Sequence, residues 1–267
     1  MSRKSAHTVP AHPELFAAEV LRSGSLTPNL HRVTITGAAL ADFPWLGFDH
    51  WFRLFLRQPH QDAFHLPKIS GKGWWRQYLL ISKAERPHCS NYTVGGFRPA
   101  EREMDIDFVV HRDTDGQLEG AAAIWALAAQ PGERLALLDQ GILFDPPADA
   151  TEVLIVADES GLPAVTGILR SLPRDTVGRV IQEVPTALDQ RDLDGPPGVQ
   201  VSWIFRDDSS LVGGRKALEA VLALPPLDPA GYAFVVGESS LATGGRRHLH
   251  KLGLPKNRIT FSGFWKH

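Results

Sequence analysis

A single cysteine, Cys89, stands in a chain of 267 residues. One thiol cannot make an internal disulfide, a cysteine-ligated iron–sulfur cluster or a cysteine-based zinc site. Any electron carrier is therefore an organic cofactor or a separate protein. No run approaches the ~20 apolar residues that a membrane-spanning helix requires, so no stable membrane insertion is expected. The opening segment MSRKSAHTVPAHPELF has a few basic residues but no apolar stretch of the secretory kind, which points to a cytoplasmic protein in a reducing compartment. Charge of one sign is lacking too. The 28 Lys and Arg against 30 Asp and Glu leave a net charge of −2, which argues against a general nucleic-acid or membrane-surface binder. The dinucleotide fingerprint G-x-G-x-x-G, the phosphate loop G-x-x-x-x-G-K-[ST] and the nucleophile elbow G-x-S-x-G are all missing. Histidines are present without ligand spacing. His248 and His250 are two apart in a helical stretch and do not share a face, and His60, His65 and His88 form no repeat, so no protein-ligated metal is expected.

What remains is the composition of a globular chain long enough for two small domains, with 43% hydrophobic and 22% charged residues. Two styles of sequence meet near residue 150. Before it lie short runs of strand type: Arg32–Thr36, Trp51–Leu56, Asn91–Val94 and Met104–Val110. In the last, Met104, Ile106 and Phe108 face one way and Asp105 and Asp107 the other. Such strands with turns between them predict an antiparallel barrel, with one helix over Ala121–Ala129 ended by Pro131-Gly132. Trp74-Trp75 are read as strand neighbours on opposite faces, and the polar loop His60–Gly73 as mobile. After Pro146-Pro147, strands Val153–Ala157, Val177–Val184, Val199–Phe205, Tyr232–Val236 and Ile259–Ser262 alternate with helices Leu162–Leu172, Leu211–Leu224 and Leu241–Leu252. That order predicts a Rossmann-like, doubly wound α/β domain. The domains are placed at 14–147 and 148–267.

Ligands of an open parallel sheet bind at the carboxyl ends of its strands. Asp158-Glu159-Ser160-Gly161 follows one such strand and Gly237-Glu238-Ser239-Ser240 another, each leading into a helix. The serines serve there either as helix caps or beside an anion held on free backbone N–H groups. Tyr92-Thr93-Val94 in the barrel half is either ordinary strand composition or a ring platform, since a tyrosine face stacks on a planar ring. Seven tryptophans serve either packing or ligand stacking.

Taken in order, these segments resemble the siderophore-interacting proteins, a branch of the ferredoxin-reductase-like flavoproteins. The resemblance runs from Leu26-Thr27-Pro28 to Trp265. The stretch LTPNLHRVTITG resembles the family's first barrel strand, and Asn91-Tyr92-Thr93-Val94 the latter part of its Arg-x-Tyr-Thr flavin motif. Asp107-Phe108-Val109-Val110-His111 is similar to its Asp-Phe-Val-x-His strand, and Gly120–Ala126 to its Gly-Pro-Ala-Ser-x-Trp-Ala segment. Asp158-Glu159-Ser160-Gly161-Leu162-Pro163-Ala164 resembles its Asp-Glu-Thr-x-Leu-Pro-Ala signature, and Ser262-Gly263-Phe264-Trp265-Lys266 its closing element.

The resemblance implies a flavin-binding antiparallel barrel followed by an α/β domain. It implies FAD as cofactor, NAD(P)H or a reduced ferredoxin as electron donor, and a ferric siderophore as substrate. Tyr92 and Thr93 would serve the isoalloxazine, with Val94 beside them. His111, Ala121, Ala122, Ala123 and Trp125 would lie by the pyrophosphate, and Asp158, Glu159, Ser160 and Trp265 would enclose the rest. Arg206, Arg246, Arg247 and Lys266 are candidates for an anionic siderophore, because guanidinium and ammonium groups suit oxyanions; otherwise they are solvated surface charge. The chain departs from the family pattern at Ser90, where an arginine is usual, at Gly95-Gly96, where basic residues are usual, and at Ala123-Ile124. These departures imply weakened flavin retention, with Arg86 and Arg98 the nearest replacement cations in sequence. Two other readings stand beside the reductase: an NAD(P)H-dependent flavin or small-molecule oxidoreductase, and a siderophore-binding protein that has lost its flavin.

Overall fold

The computed structural model describes residues 8–10, 14–69, 73–112, 115–208 and 211–267. The chain divides into two compact units. One comprises Thr8–Leu46 with His50–Gly141, the other Gly47–Asp49 with Ile142–His267.

The first unit contains β1 (Leu15–Thr27), β2 (Leu30–Thr36), β3 (Trp51–Leu56), α1 (Trp74–Leu80), β4 (His88–Arg98) and β5 (Glu103–Val109). A small hairpin of β6 (His111–Arg112) and β7 (Leu118–Glu119), then α2 (Ala121–Ala128) and β8 (Arg134–Gly141), complete it. Six strands close into a barrel in the order β1-β2-β5-β4-β3-β8, and β1 meets β8 antiparallel with Leu15 opposite Leu138. Period-two alternation fills the interior: Val33, Ile35, Phe52, Leu54, Met104, Ile106 and Phe108 are all fully buried. Helix α2 presents its small face to this core, with Ala122, Ala126 and Ala129 packed against it.

The outer face of β5 is not solvated, as simple alternation would have it. Asp105 and Asp107 are also buried. Arg98 holds Asp105 with two hydrogen bonds of 2.8 and 2.7 Å, Thr34 adds a third at 2.8 Å, and Arg32 holds Asp107 at 2.6 and 2.8 Å. A bulge in β4 between Val94 and Gly96 turns the backbone onto these carboxylates. A Cβ on Gly95 would sit 3.1 Å from the Asp107 carboxyl carbon, and one on Gly96 3.1 Å from Asp105 Oδ2. A side chain at either position would have to push these carboxylates back by a few tenths of an ångström.

Two expectations for this half need correction. The stretch LTPNLHRVTITG is not one strand: it is the end of β1, a turn, and β2. Trp74 and Trp75 lie on helix α1, with their rings 5.4 Å apart edge to face. In the loop His60–Gly73, the amide of buried Gln61 donates to the carbonyls of Ala84 and Arg86; residues 70–72 lie outside the described residues.

The second unit contains β9 (Val153–Ala157), α3 (Leu162–Ser171), β10 (Val177–Val184), β11 (Gly198–Phe205), α4 (Arg215–Leu222), β12 (Tyr232–Glu238), α5 (Ser239–Lys251) and β13 (Ile259–Trp265). Its sheet is parallel, in the order β11-β10-β9-β12-β13. Strand β9 is buried throughout, as a central parallel strand must be with helices on both faces. Ala164, Val165, Ile168 and Leu169 of α3 cover one face; Ala217 and Val221 of α4 with Leu241 and Leu249 of α5 cover the other. The chain leaves β9 in one direction toward β10 and returns on the other side at β12. The switch point therefore lies between the carboxyl ends of β9 and β12. Helix α4 begins four residues later than Leu211, after Gly214 at φ +84°; residues 209–210 lie outside the described residues. No helix among the described residues is long and apolar enough to cross a membrane.

Phe108 is fully buried where the barrel interior meets α2. Phe108→Ala should lower stability by about 3–5 kcal/mol, the usual cost of emptying such a site. Urea unfolding followed by far-ultraviolet circular dichroism measures it.

Candidate functional site

In the barrel unit, β4 carries Tyr92 and Thr93 to opposite faces, because successive side chains of a strand alternate. Tyr92 shares its face with Phe52, its partner across the β3–β4 ladder. Its ring lies 4.5 Å from that of Phe108, which lies 5.9 Å from the indole of Trp125 on α2. Burial raises the Tyr92 phenol above its usual value. Thr93 is buried on the other face, opposite Trp51. Val94 lies in the interior and ties β4 to the carbonyl of His50 through its N–H at 2.8 Å.

The start of α2 joins this group. Gly120 adopts φ +86°, and no side chain caps the helix. Its first internal bond runs from the Ile124 N–H to the Gly120 carbonyl, so the N–H groups of Ala121, Ala122 and Ala123 stand ahead of the helical ladder. Ala122 and Ala123 are buried and Ala121 is exposed. His111 lies on the hairpin just before, opposite Glu119. Trp125 is anchored by its indole N–H, which donates to Glu133 at 2.6 Å. Tyr92, Trp125 and the α2 start are thus brought together around Phe108.

At the departures from the family pattern, the Ser90 hydroxyl bonds His88 two residues before it, at 3.1 Å. Neither expected replacement cation is free. Arg86 donates to the carbonyls of Leu79 and Ile81, and Arg98 is held by Asp105 and Glu103.

In the α/β unit, the carboxyl edge of the sheet is crowded with acids. Asp158, Glu159, Glu183 and Glu238 are buried there with Arg206. Each carboxylate has work within the fold. Asp158 Oδ1 accepts the Ser160 N–H at 2.9 Å and lies 2.5 Å from the Ser160 hydroxyl, while Oδ2 accepts the Glu238 N–H at 2.7 Å and the Trp265 indole N–H at 3.0 Å. Glu183 accepts the N–H groups of Gly214 and Ala217 at the start of α4. Glu238 caps α5 at the Ser240 N–H. The starts of α4 and α5, which could receive an external anion, are therefore filled by the chain's own carboxylates, while Asp158 caps the short 3-10 turn Glu159–Gly161 ahead of α3.

Burial and the neighbouring Glu159 charge push the Asp158 carboxyl up to about 7, against the hydrogen bonds from Ser160, Glu238 and Trp265. For Glu238, burial opposes the charge, but bonds from Ser240, His267 and Leu241 outweigh it and hold the carboxyl below its usual value.

The four expected substrate cations separate in the structure. Arg206 is not available to a ligand. Its guanidinium is 8% exposed and bonds Glu159 at 3.0 and 2.8 Å and Glu183 at 2.7 Å. Burial works against its charge, and the two glutamates outweigh that and raise it above the ordinary value. Arg246 and Arg247 lie about 10 Å along α5 from its start, seven and eight residues on at ~1.5 Å each. Arg246 sits over the Phe261 ring at 4.6 Å, and Arg247 donates to the Thr243 carbonyl. Only Lys266 is exposed at the carboxyl end of the sheet, beside Trp265. Sequence reasoning missed Glu183, whose partners lie 23 and 31 residues away. The one local signal was its place at the end of the strand Val177–Val184.

Removing the cation from a buried cluster leaves carboxylates uncompensated. Arg206→Met should cost about 3–5 kcal/mol on that ground. Arg174→Met, which breaks an exposed pair with Asp194, should cost under about 1 kcal/mol. Chemical denaturation of both variants beside the parent protein measures the contrast.

Comparison with known proteins gives three concordant results. A family model described as a siderophore-interacting FAD-binding domain matches residues 19–142, and one described as a siderophore-interacting protein matches residues 150–267. The chain is 30% identical over 258 residues to the ferric vibriobactin reductase ViuB of Vibrio cholerae, covering 96% of this chain and 90% of that one. It is 28% identical to an NADPH-dependent ferric-chelate reductase of Escherichia coli, covering 92% and 91%. The crystal structure of a siderophore utilization protein from T. fusca superposes with a TM-score of 0.81 at 28% identity, covering 98% and 96%.

Proposed function

The chain belongs to the siderophore-interacting protein family, and from that premise we propose that it is an FAD-dependent oxidoreductase that reduces Fe(III) held by siderophores. The observation that carries the reading is the grouping of the Tyr92 ring and α2, with its uncapped start, around Phe108, with His111 on the hairpin that leads into α2. A half-buried aromatic face and a helix start without a side-chain cap fit the two ends of a flavin nucleotide, a planar ring and a pyrophosphate.

In this reading Tyr92 packs on the ring, and Thr93 and Val94 present strand backbone to its edge. Ala121, Ala122 and Ala123 offer N–H groups to the pyrophosphate, with no side chain large enough to block it, and His111 stands beside them. Trp125 holds α2 in place through Glu133. The resemblance also assigns the Asp158–Ser160 loop and Trp265 of the α/β unit to cofactor binding, although Asp158 and Glu159 are buried and held by partners within that unit. When bound, the flavin takes two electrons from NAD(P)H or a reduced ferredoxin and passes them on singly, as iron requires. Siderophores offer hard anionic oxygens that suit Fe(III). Fe(II), larger and less charged, is bound far more weakly and leaves. Lys266 is the first candidate to meet the negative charge of such a ligand; Arg246 and Arg247 lie farther down α5. The cytoplasm, a reducing compartment, is the one that suits this chemistry.

The test is anaerobic reduction of the FAD-loaded protein, followed by addition of several ferric siderophores with an Fe(II) chelator present. Re-oxidation of the flavin with stoichiometric Fe(II) capture is expected. Re-oxidation by quinones or free flavins but by no ferric siderophore would favour a general oxidoreductase, and failure to take up FAD would overturn the flavin reading.

The missing cation at Ser90 generates a sharper expectation. A charge-assisted bond to a phosphate contributes roughly 1.5–3 kcal/mol. Ser90→Arg should therefore tighten FAD by about tenfold or more. Titration of apo-protein by flavin fluorescence quenching reads it. Stoichiometric tight FAD in the parent protein with no gain in the variant would show that other groups hold the phosphates.

A further inference from the structure

The end of the barrel where β1 begins and β8 stops holds a cavity of about 390 Å³, a size that takes a small organic ligand. Every residue lining it belongs to the barrel unit, and none of them is assigned to the flavin above. Its walls are largely apolar, built by Phe16, Pro44 and Leu46 with the segment 8–10. Its charged side chains are all acids: Glu14, Asp42 and Asp139. Glu14 and Asp42 are exposed and stand at the mouth; Asp139, 2% exposed, lies at the floor.

The floor is electrically incomplete. Oδ1 of Asp139 accepts both of the side chain's hydrogen bonds, from His50 Nε2 at 2.7 Å and from the Gly141 N–H at 2.8 Å. Oδ2 accepts none among the described residues, which leaves it to the cavity. His50 does not neutralise the carboxylate. Its Nδ1 accepts the Leu46 N–H at 3.2 Å, so the single ring proton sits on Nε2 and the imidazole is neutral. The ring stacks on Phe43 at 4.9 Å and on Trp45 at 5.4 Å, neighbours that bring no counter-charge. A buried carboxylate oxygen with no cation against it is costly until a cation arrives.

We propose that this cavity binds a small primary alkylammonium ion. The ammonium meets Asp139 Oδ2 at the floor, and the alkyl chain lies on Phe16, Pro44 and Leu46. A second ammonium, where the ligand has one, reaches Glu14 and Asp42. The geometry selects this class over other cations. A guanidinium fork needs both carboxylate oxygens, and Oδ1 is taken. A quaternary ammonium needs a cage of aromatic faces, and Phe16 is the one aromatic ring in the lining. No three His, Cys, Asp or Glu side chains among the described residues are placed to hold a metal ion. An ammonium is a compact charge with its own N–H donors, which one free oxygen can accept.

The test follows the backbone amides of the full-length protein labelled with 15N. The Leu46 and Gly141 peaks report the site, because their N–H groups bond His50 and Asp139. Three probes are titrated in turn: n-pentylamine, charged at neutral pH; n-pentanol, its neutral counterpart; and the diamine cadaverine. The amine should shift both peaks saturably, with a Kd on the order of 1 mM or tighter. The alcohol should bind about tenfold more weakly, since it forms no charge-assisted bond. Cadaverine should bind about two- to fivefold more tightly than the amine, as exposed pairs at the mouth add little. In Asp139→Asn the amine should fall to the affinity of the alcohol. Leu46→Trp gives a second variant, which fills the cavity from a wall position that is 40% exposed. It should abolish binding of all three probes, read at Gly141. No saturable shift up to about 10 mM amine in the parent protein overturns the proposal. Equal affinity for amine and alcohol overturns the cation site and leaves an apolar crevice. Tighter binding of n-pentylguanidine than of n-pentylamine overturns the ammonium class. Unchanged amine binding in Leu46→Trp places the amine elsewhere and overturns the site.

Discussion

Every helix that leaves the carboxyl edge of a parallel sheet begins with N–H groups that no earlier turn can satisfy. In this chain that constraint organises the whole α/β unit. Glu183 and Glu238 turn carboxylates onto the starts of α4 and α5, and Asp158 caps the 3-10 turn Glu159–Gly161 ahead of α3, so acids accumulate in a place that excludes water. Arg206 then becomes indispensable, since it is the one cation buried in that cluster among the described residues. The glycines follow from the acids in turn: Gly213, Gly214 and Gly237 all stand where a Cβ would press on one of these carboxylates or on the groups they hold. One requirement of helix geometry thus accounts for residues scattered over some eighty positions, from Asp158 to Glu238.

The barrel shows the opposite economy. Its charges are gathered on the outside of β5, where Arg32 and Arg98 neutralise Asp105 and Asp107. The Gly95-Gly96 bulge exists to let the backbone close over them. Two of the departures from the family pattern are therefore one structural decision, in which basic side chains are exchanged for close packing. What the exchange leaves beside Tyr92 is a site made of ring faces and backbone N–H groups, with Ser90 and His88 bonded to each other.

How much of this was legible beforehand depended on whether the governing contact was local. The runs Trp51–Leu56, Val153–Ala157 and Val177–Val184 form strands with the expected bounds, because burial on one or both faces writes itself into consecutive residues. Strand β1 was missed. Its first half alternates, but the second, around Ser23-Gly24-Ser25, is exposed and carries no apolar signal. Strand β8 was missed as well, since Leu135–Leu138 is apolar without alternation and such a run is ambiguous by pattern alone. The adjacent tryptophans misled because an aromatic pair fits a strand as readily as a short helix. At the site, Tyr92 and the Asp158 loop stood out through motif resemblance. The commitment of Arg206 could not, because nothing near it in the chain announces Glu159 or Glu183, 47 and 23 residues away.

The pairing of β1 with β8 has a consequence for how the molecule is made. Leu15 waits for Leu138 and Glu19 for Arg134. The barrel's first strand therefore has one edge without a partner while more than a hundred further residues are synthesised. At ~5–20 residues per second, that interval is on the order of 6–25 seconds. A strand edge open for so long is a surface on which a nascent chain can pair wrongly. Glu19, exposed in the finished strand and opposite Arg134, puts a charge at the end of the waiting segment.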